Sequence, residues 1–392
     1  MAIAKVLLIT NIPTPYRIPL FNELNRQLGE KGMALDVVFG ALGSPRRRWK
    51  PSLEDCRFSY KILSSRTIRF RDPEKSALTY SGLGAVLSQD DYRLIIANGF
   101  SLATTRLWLR SWRKATPYII WSGAVSRKEG KIPLWRTMQR KIVSRRALGF
   151  VAYGSKAKSY LESLGVPAEK ISVGINTVDT EFFQKETERI RENSPARPEE
   201  KCLLTIGELS PRKCVGQLLQ AIKILSGRRR DFQLILIGEG PEKERLQALA
   251  GRWGIAPFLK FEGFRQKKEL TAYLAGADCF LFPTGFDIWG LVLVEAMAAG
   301  LPCIASIQAG ATVDLIRDGV NGFAADFSEA ECVAEKIDWI LSHPGPAARM
   351  GLEAKATIAD KASIALSAAG FVQAILRARM AGDRSLHAQK PA

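Results

Sequence analysis

Two acidic residues, Asp287 and Glu295, lie eight positions apart in the stretch 277–306, ADCFLFPTGFDIWGLVLVEAMAAGLPCIAS. Asp287 stands in a loop with Pro and Gly, and Glu295 is the single acid in an otherwise apolar helical pattern. A carboxylate in apolar surroundings needs a polar partner or exposure to water. Glu295 can accept hydrogen bonds from ribose hydroxyls, and Asp287 from a sugar. The alternative is an ordinary α/β helix that tolerates an acid.

The loop before this helix has the composition of a phosphate site. DCFLF and PCIAS are short apolar runs typical of buried parallel strands, and Gly300 with Pro302 ends the helix between them. A helix that begins near Gly290 has unpaired amides in its first turn, at Leu291 and Val292, and these attract phosphate. Gly290 lets the backbone approach a ligand closely.

The residues D-I-W-G-L-V-L-V-E-A-M-A-A-G-L-P-C-I-A resemble the signature of family 4 (group 1) retaining glycosyltransferases, E-x-F/W-G-x-x-x-x-E-A-M-A-x-G-x-P-V-I-A. Asp287 replaces the first glutamate of that signature. The resemblance implies the α/β GT-B fold, with two Rossmann-like doubly wound parallel-sheet domains facing a cleft. It also implies a hexosyltransferase-type reaction, in which a sugar moves from a nucleotide-diphosphate sugar to an acceptor hydroxyl with retention of configuration.

A second segment, GELSPRKC at residues 207–214, is similar to the family form G-R-L-x-x-x-K-G. The resemblance implies that Lys213 is a ligand of the donor pyrophosphate. Glu208 replaces the family's arginine, which removes a charge-assisted contact, and the neighbouring Arg212 can supply a cation instead.

These resemblances assign two groups of residues in the second half of the chain. The loop that begins at Gly263 resembles the one whose backbone reads the nucleobase. The catalytic candidates are Asp287, Glu295 and Lys213, and the donor-binding candidates are Gly207, Arg212, Gly263, Gly290, Leu291 and Val292.

The first half of the chain opens with a strand, a loop, a helix and a second strand, which is the start of a doubly wound sheet. No G-x-G-x-x-G follows the first strand, so a dinucleotide fingerprint is absent from it. The loop instead reads PTPYR, and its Arg17 is a candidate contact for the acceptor or the donor phosphate, with a helix-start surface residue as the alternative. Asn98 is a second candidate, because it follows a strand at the end where open α/β sheets bind ligands.

The charge of the chain is unevenly distributed. Residues 1–195 hold 33 Lys+Arg and 17 Asp+Glu, a net of +16, out of the +18 of the whole chain. Residues 132–146 combine apolar and basic positions at helical spacing, including Trp135 and Met138. We expect an amphipathic helix whose apolar side packs mostly in the core and whose basic side faces an anionic membrane surface. The basic loop 44–58, with Arg46, Arg47 and Arg48 in a row, is a candidate for further acceptor contacts, with a solvated basic loop as the alternative. No nucleic acid is expected, since no nucleic-acid-binding motif accompanies the charge.

The same patterns predict the domain boundaries. We expect an N-terminal acceptor-side domain at 1–183, a polar linker at 184–201 and a nucleotide-sugar-binding domain at 202–362. Residues 363–380 are expected to form a helix that packs back on the first domain, followed by a flexible tail at 381–392. Asn176 and Asp179 match a further family segment, S-x-x-x-x-x-x-L-x-x-x-G-V-P-x-x-K-I-x-V-x-x-N-x-V-D-x-x-x-F.

Composition narrows the remaining possibilities. Hydrophobic content of 46% is that of a globular protein, and no segment is expected to span a bilayer. The start, MAIAKVLLIT, runs directly into a strand pattern, so a cytoplasmic protein is expected, peripheral on the inner face of the plasma membrane. None of the six cysteines forms a C-x-x-C pair, which favours free thiols, buried in the strands at Cys202, Cys279 and Cys303. No cofactor and no metal is expected, because Asp-x-Asp and ligand-spaced His/Cys clusters are absent from the sequence.

The acceptor suggested by the basic first half is a membrane-linked glycan or lipid, in cell-surface polysaccharide or glycolipid assembly. The sequence does not fix the donor sugar, its nucleobase or the linkage. Two alternatives stay open. One is another GT-B enzyme, an epimerase or a phosphorylase. The other is a degenerate, non-catalytic protein that binds anionic surfaces.

Overall fold

The computed structural model describes residues 4–43, 53–69, 76–89, 92–113, 117–126, 132–194 and 200–387, with side chains left out at 65–69, 76–80, 89 and 382–387. The chain divides into two compact units. Unit 1 comprises Met1–Asn176 and Ile364–Ala392, and unit 2 comprises Thr177–Ser363.

Unit 1 is built around a parallel sheet of seven strands in the order β3-β2-β1-β6-β7-β8-β9. A separate antiparallel pair, β4 and β5, follows the third strand. Its elements up to residue 176 are β1 (Ala4–Thr10), α1 (Arg17–Gly29), β2 (Met33–Phe39), β3 (Ser59–Ile62), β4 (Ser64–Arg69), β5 (Ser76–Ser81), α2 (Leu83–Gln89), β6 (Tyr92–Asn98), α3 (Leu102–Arg110), β7 (Tyr118–Ser122), α4 (Leu134–Arg146), β8 (Gly149–Ala152), α5 (Ser155–Ser163) and β9 (Ile171–Val173).

Unit 2 repeats this design with a parallel sheet of six strands in the order β12-β11-β10-β13-β14-β15. Its elements are α6 (Thr180–Glu192), β10 (Lys201–Ile206), α7 (Val215–Ser226), β11 (Phe232–Ile237), α8 (Lys243–Arg252), β12 (Leu259–Gly263), α9 (Lys267–Gly276), β13 (Cys279–Phe282), α10 (Leu291–Ala298), β14 (Cys303–Ser306), α11 (Gly310–Leu315), β15 (Phe323–Ala325), α12 (Ala330–Ser342) and α13 (Pro344–Lys361).

The central strands are buried on both faces, as parallel sheets covered by helices require. Consecutive residues of β1, Leu7 and Leu8, are both fully buried although they point to opposite faces. In β13 the consecutive residues Phe280 and Leu281 are likewise fully buried. The continuous apolar runs seen in the sequence therefore reflect packing on two sides.

Each sheet has a position where the strand order reverses. In unit 1, β1 lies between β2 and β6, and in unit 2, β10 lies between β11 and β13. Open α/β sheets bind ligands beyond the carboxyl ends of the strands at such a switch point. The loops after β1 and β6, and those after β10 and β13, are thus the places to look for sites.

The segment predicted to be a linker is mostly structured. Helix α6 begins at Thr180, capped by a hydrogen bond from the Phe182 amide to the Asp179 carboxylate at 3.2 Å, and it belongs to unit 2. The unit boundary lies at 176/177 instead of 183/184. Local polarity suggested a linker, whereas α6 is stabilised by packing against α9 and α10 of its own unit. Residues 195–199 lie outside the described part.

The last helix, α14 (Ile364–His387), packs against α1, β8 and β9 of unit 1. Its Phe371 is fully buried and meets the ring of Trp121 at 5.1 Å between centroids. The helix continues through most of the predicted flexible tail, and only residues 388–392 lie outside the description.

Residues 344–381 form a stretch long and apolar enough, by length and composition, to cross a membrane. The prediction that no segment meets this test is therefore wrong. The stretch is divided between α13 in unit 2 and α14 in unit 1, and 44% of its most apolar window is buried. Core helices satisfy the same test because their apolar residues face protein, as Phe371 and Ile375 do here.

Helix α4 differs from expectation in its packing. Only Val143 and Ser144 are buried, whereas Leu134 is 87% exposed, and Trp135 and Met138 are each 65% exposed. The apolar side of this helix is thus largely outside the core. Residues 44–52 of the predicted basic loop 44–58 lie outside the described residues.

All six cysteines are free. Cys279 and Cys303 are buried as predicted, and Cys202 is only half-buried because it lies near the start of β10.

Candidate functional site

The loops after β10 and β13 bring an ion pair to the switch point of unit 2. Lys213 Nζ donates a hydrogen bond to Asp287 Oδ2 at 2.7 Å, across 74 residues of sequence. Both side chains are largely buried, with 13% and 19% of their surfaces exposed. A salt bridge this enclosed is screened less by salt than one at the surface. Two of the sequence-predicted catalytic residues are therefore in direct contact.

Arg212 joins the same two loops through its backbone and its side chain. Its carbonyl oxygen accepts a hydrogen bond from the Gly285 amide at 2.9 Å. Its Nη1 donates to the Phe286 carbonyl at 2.8 Å and lies 3.5 Å from Asp287 Oδ2. Asp287 consequently faces two cations.

The Asp287 carboxylate is fixed on both of its oxygens. While Oδ2 accepts from Lys213, Oδ1 accepts from the Trp289 amide at 3.2 Å. The backbone is fixed too, because the Gly310 amide donates to the Asp287 carbonyl at 3.1 Å. Burial raises the pKa of the Asp287 carboxyl, but Lys213 and Arg212 outweigh burial, so the pKa lies below its ordinary value. The residue is an anion at neutral pH.

Phe282, the last residue of β13, supports both halves of this arrangement. Lys213 Nζ lies 5.0 Å from the centroid of its ring, within cation–π range. The same ring lies against Gly290, where an added Cβ would come within 2.6 Å of Phe282 Cε1. Gly290 also has a φ of +110°, which strongly favours glycine. Phe282 gave no signal in the sequence beyond being an aromatic residue at the end of a strand.

Helix α10 begins directly after Gly290, as predicted, and presents the amides of Leu291 and Val292 in its first turn. Glu295 lies one turn further on. Its Oε2 is buried and has no hydrogen-bond partner among the described residues. Burial raises the pKa of this carboxyl to about 7, with Lys267 acting in the opposite direction. Leaving a buried carboxyl oxygen without a donor is costly, so a ligand with hydroxyls fits this position.

Three further polar atoms, on the loops after β10 and β13 and in α11, are buried without a hydrogen-bond partner in the described part of the chain. They are the Ser210 hydroxyl, the indole nitrogen of Trp289 and the Thr312 hydroxyl. Buried polar groups of folded proteins are nearly always paired, so these unpaired atoms set this region apart. The sequence gave no reason to single out these residues, because only their burial makes them informative.

The other residues that the sequence pointed to in unit 2 lie at the ends of β10 and β12. Gly207 follows β10, and a Cβ there would lie 3.8 Å from Lys213 Cε. Gly263, with φ of +71°, ends β12, and its carbonyl accepts from the Gly238 amide at 2.8 Å. Strand β11 lies between β12 and β10, so Gly263 is two strands away from the strand that precedes Lys213. Glu208 is exposed.

Unit 1 has its own polar cluster at its switch point. Arg17 Nη1 donates to Thr10 Oγ1 at 2.8 Å, and Arg17 Nη2 donates to Tyr153 Oη at 3.0 Å. Asn98 Nδ2 donates to the same Thr10 hydroxyl at 2.9 Å. The guanidinium also lies 4.6 Å from the ring centroid of Trp121. The structure therefore brings the two predicted acceptor-side residues together and adds Thr10 and Tyr153, which the sequence did not reveal.

Within the described ranges, no three His, Cys, Asp or Glu side chains come together in a group that could hold a metal ion. The polar groups at the β10/β13 switch point are cations, amides, hydroxyls and two separate carboxylates. Such a set can bind phosphates and sugar hydroxyls directly.

Comparison with solved structures identifies the fold. Anabaena Alr3699/HepE, solved in complex with UDP, superposes with a TM-score of 0.74 at 19% identity, covering 95% of this chain and 99% of that chain. Sucrose-phosphate synthase from Thermosynechococcus elongatus gives a TM-score of 0.70 at 18% identity, covering 99% and 100%. The chain has the GT-B fold, two Rossmann-like units with parallel sheets, as predicted.

Residues 186–357 match the family described as Glycosyl transferases group 1. This match lies entirely within unit 2 and includes Lys213, Asp287 and Glu295. The fold is thus GT-B, and the sequence of the second unit is similar to that of group 1 glycosyltransferases.

Curated relatives match this chain over a number of residues similar to that of the family match. A GDP-mannose-dependent alpha-(1-6)-phosphatidylinositol monomannoside mannosyltransferase of Mycolicibacterium smegmatis is 33% identical over 187 residues, which is 45% of this chain and 48% of that protein. The putative colanic acid biosynthesis glycosyltransferase WcaL of Salmonella typhimurium is 28% identical over 183 residues, 45% of this chain and 43% of that protein. The matching part thus spans about half the length of these relatives.

Proposed function

We propose that this protein is a family 4 glycosyltransferase that moves a sugar from a nucleotide-diphosphate sugar to an acceptor hydroxyl. The observation that carries the proposal is the switch point of unit 2, where an enclosed Lys213–Asp287 pair lies beside the N-terminus of α10 and its half-buried Glu295. The match of residues 186–357 to group 1 glycosyltransferases supports it.

Each part of this site has a role in the proposal. The Lys213 ammonium has three donor hydrogens, of which one faces Asp287, so two can be offered to a diphosphate. The amides of Leu291 and Val292 add donors to the departing phosphate, where negative charge grows during transfer. Glu295 accepts hydrogen bonds from the ribose, and Asp287 accepts one from the transferred sugar.

We further propose retention of configuration, with a phosphate oxygen of the donor taking the acceptor's proton. The two histidines of the chain, His343 and His387, are far along the sequence from the strand ends of unit 1, so a histidine base is not expected. The anomeric proton of the first-formed product, observed by NMR, tests this step. An inverted product would contradict it.

The main experiment is a donor panel of UDP-, GDP- and ADP-sugars, with transfer and hydrolysis measured for the native protein and for Glu295→Gln and Lys213→Ala. We expect one class of donor to be turned over. Lys213→Ala should lose at least ~100-fold in kcat/KM, as removal of a transition-state donor typically costs. Glu295→Gln should lose roughly tenfold or more through weaker nucleotide binding, because it removes a charge-assisted contact to the ribose. The control variants Glu335→Gln and Lys223→Ala, both on exposed positions of unit 2, should match the native protein.

Two results would contradict the proposal. Nucleotide-sugar binding without turnover of any donor would favour the non-catalytic alternative, and unchanged turnover in Glu295→Gln would refute the site. We also propose that no metal takes part. Activity that is lost with EDTA and restored by Mg²⁺ or Mn²⁺ would contradict that part alone.

For the acceptor, we propose a membrane-linked glycan or lipid, reached from the inner face of the plasma membrane. The exposed side of α4, formed by Leu134, Trp135, Met138 and Ile142, supports this proposal. Exposed cations flank it, among them Arg136, Lys141 and Arg145. Apolar and aromatic side chains beside cations suit an anionic bilayer surface, where the former enter the interface and the latter meet lipid phosphates.

A neighbouring residue extends this α4 surface. Trp112, just after α3, is 65% exposed and holds the Arg146 guanidinium 4.3 Å from its ring centroid. The relatives involved in phosphatidylinositol mannoside and colanic acid synthesis also fit an acceptor in cell-surface glycolipid or polysaccharide assembly.

Vesicle flotation tests the membrane proposal, with phosphatidylcholine vesicles that contain or lack phosphatidylglycerol. The native protein should float with the anionic vesicles, and the double variant Trp135→Ser with Met138→Ser should lose most of this binding. Trp339→Ser, an exposed tryptophan of unit 2, is the control. Equal flotation of all three proteins would contradict the α4 surface. Loss of a native dimer in the double variant, measured by sedimentation, would instead assign the surface to a second copy of the chain.

A further inference from the structure

We propose that the acceptor of this protein carries an oxyanion, a phosphate or a carboxylate, and that Arg17 binds it at the switch point of unit 1. The inference rests on the proposed function, because it names the chemistry of that reaction's acceptor.

Arg17 is a half-buried cation surrounded by neutral groups. It contacts the hydroxyls of Thr10 and Tyr153 and the rings of Trp121 and Tyr16. Among the residues that the structure describes, no carboxylate lies within 4.0 Å of its guanidinium. Removing a guanidinium from water without an anion is costly, and proteins usually pair such a charge. By contrast, Lys213 at the switch point of unit 2 is paired with Asp287.

The guanidinium also keeps unused hydrogen-bonding capacity. Its Nε is buried and, in the described part of unit 1, has no acceptor. The Thr14 hydroxyl, which is three residues earlier, is likewise buried without a partner there. These two residues are neighbours in space, because the Arg17 amide donates to the Thr14 carbonyl at 2.9 Å. Two donors of the same turn are thus left without an acceptor in the described part of the chain.

Thr10 supplies a third donor. Its hydroxyl oxygen accepts from Arg17 at 2.8 Å and from Asn98 at 2.9 Å, so its own hydrogen is directed elsewhere. A hydroxyl with two donors on its oxygen acts as a donor itself. The cluster thus presents a cation and two hydroxyls, which is a set of donors suited to an anion.

The fork of Arg17 is held in place before any ligand arrives. The guanidinium carbon lies 4.6 Å from the ring centroid of Trp121, and Nη2 donates to Tyr153 Oη at 3.0 Å. The Tyr153 ring itself needs Gly123, since an added Cβ at that glycine would come within 2.5 Å of Tyr153 Cδ2. A guanidinium fixed in this way loses little freedom on binding and matches the geometry of carboxylate and phosphate oxygens.

The β1/β6 switch point adds an independent reason. Thr10 ends β1 and Asn98 ends β6, which are neighbours in the sheet at the place where the strand order reverses. Ligands of open α/β sheets bind beyond these strand ends. A residue needed only to join the two strands could do so without a charge.

The test is binding of defined probes by calorimetry in a Lys213→Ala background, which silences the donor-side cation of unit 2. Glucose 1-phosphate, inorganic phosphate and glucuronate are the anionic probes, and glucose is the neutral control. We expect an anionic probe to bind and glucose not to bind. Adding Arg17→Gln should weaken the anion at least tenfold, whereas Arg17→Lys should retain part of the affinity because it keeps the charge but not the fork.

The probes distinguish the sources of the anion. Preference for glucose 1-phosphate over inorganic phosphate indicates a phosphate attached to a sugar, and preference for glucuronate indicates a carboxylate. Failure of every anion to bind the Lys213→Ala protein, or equal binding after Arg17→Gln, would overturn the proposal. Neither result bears on the donor site, because no nucleotide sugar is present.

A purely structural role for Arg17 predicts a different outcome. If the residue served only to hold Thr10 and Tyr153 together, Arg17→Met would lower the melting temperature. Since that substitution removes a charge with no described counter-ion, we expect the melting temperature to stay the same or rise. A clear fall in melting temperature together with unchanged anion binding would assign Arg17 to stability alone.

Discussion

At the residue scale, the candidate site of unit 2 is built around an ion pair between Lys213 and Asp287. Lys213 and Asp287 neutralise each other at 2.7 Å, and both carboxylate oxygens of Asp287 are already engaged. In the proposed function, a bound diphosphate therefore has to share Lys213 with Asp287. Asp287 is shorter than the glutamate of the family signature, and its contacts to Lys213 and Trp289 show what this shorter side chain reaches.

Glu295 gives a prediction about pH and stability. Its pKa is about 7 in the folded chain, above the ordinary value of 4.5, so the folded state binds more protons than the unfolded state between these values. The stability that this proton contributes is complete below pH 4.5 and is lost as the pH rises through 7. The loss is at most about 3 kcal/mol. Urea unfolding at several pH values should show this fall in native protein and a flatter profile in Glu295→Gln.

The same residue predicts the pH dependence of nucleotide binding. In the proposed function, ribose hydroxyls donate to the ionised carboxylate of Glu295. For a pKa near 7, the ionised fraction of Glu295 rises roughly tenfold between pH 6 and 8, so UDP or GDP affinity should rise by the same factor. Calorimetry on native protein and on Glu295→Gln, each with the same nucleotide, separates this effect from ionisation of the phosphates. An equal slope in both proteins would contradict the ribose contact.

At the element scale, the site depends on how α7 and α10 begin. Both helices start directly after a residue with positive φ, Cys214 before α7 and Gly290 before α10. These turns bring Lys213 and the first amides of α10 to the same edge of the sheet. Gly290 is suited to this conformation, whereas Cys214 is not, and the related family form has glycine at the position of Cys214.

The conformation of Cys214 leads to a stability prediction. With φ of 50° it lies in the left-handed region, which costs a residue with a side chain about 1 kcal/mol or more relative to glycine. Cys214→Gly should therefore be more stable than Cys214→Ala by about 1 kcal/mol, since both variants lose the thiol and only one keeps the strain. Chemical unfolding of the two variants measures the difference, and equal stability would show that the turn relaxes in the alanine variant.

Helix α6 contacts the carboxyl ends of two helices of the site. These are α9, which begins at Lys267, and α10, which contains Glu295. Arg191 donates to the carbonyls of Leu274 and Ala275 at the end of α9, at 3.2 and 3.1 Å, and to the carbonyl of Ala299 after α10, at 2.8 Å. A cation at helix C-termini satisfies carbonyls that lack intrahelical partners and favours the helix dipoles.

Removal of Arg191 should destabilise unit 2 substantially. We expect Arg191→Ala to lower the free energy of unfolding by about 2–4 kcal/mol, as charge-assisted hydrogen bonds to three carbonyls are lost. Arg189→Ala on the same helix removes only an exposed pair with Glu186 and should cost less than about 0.5 kcal/mol. Comparable losses in both variants would contradict the bracing role.

At the scale of the whole molecule, charge and fold are distributed differently. The two units share a parallel-sheet design, yet unit 1 holds 34 Lys+Arg and 13 Asp+Glu, a net of +21, whereas unit 2 holds 23 and 26, a net of −3. Repeated architecture with unequal charge fits two units that bind different partners. In the proposed function, unit 2 binds the nucleotide sugar, and the basic unit 1 meets a membrane surface and an anionic acceptor.

This division predicts unequal sensitivity to salt. Vesicle binding through the exposed cations of α4 should fall steeply between 50 and 500 mM NaCl, because ~10 Å screening at 0.1 M acts on exposed charges. Nucleotide binding at the enclosed Lys213 should change much less over the same range. Flotation and calorimetry measure the two effects, and a parallel loss of both would contradict the assignment of different electrostatics to the two units.

Local sequence patterns determined the doubly wound elements and the start of α10 after Gly290, and they selected Lys213, Asp287 and Glu295 as candidates. These features follow from apolar periodicity, glycine geometry and spacing within one segment. Tertiary structure decided what those residues touch. Lys213 meets Asp287 across 74 residues, Arg17 meets Tyr153 across 136, and Arg191 reaches Ala299 across 108. It also decided that α6 is no linker and that Trp135 is exposed, because burial depends on distant elements that pack against a segment rather than on its own composition.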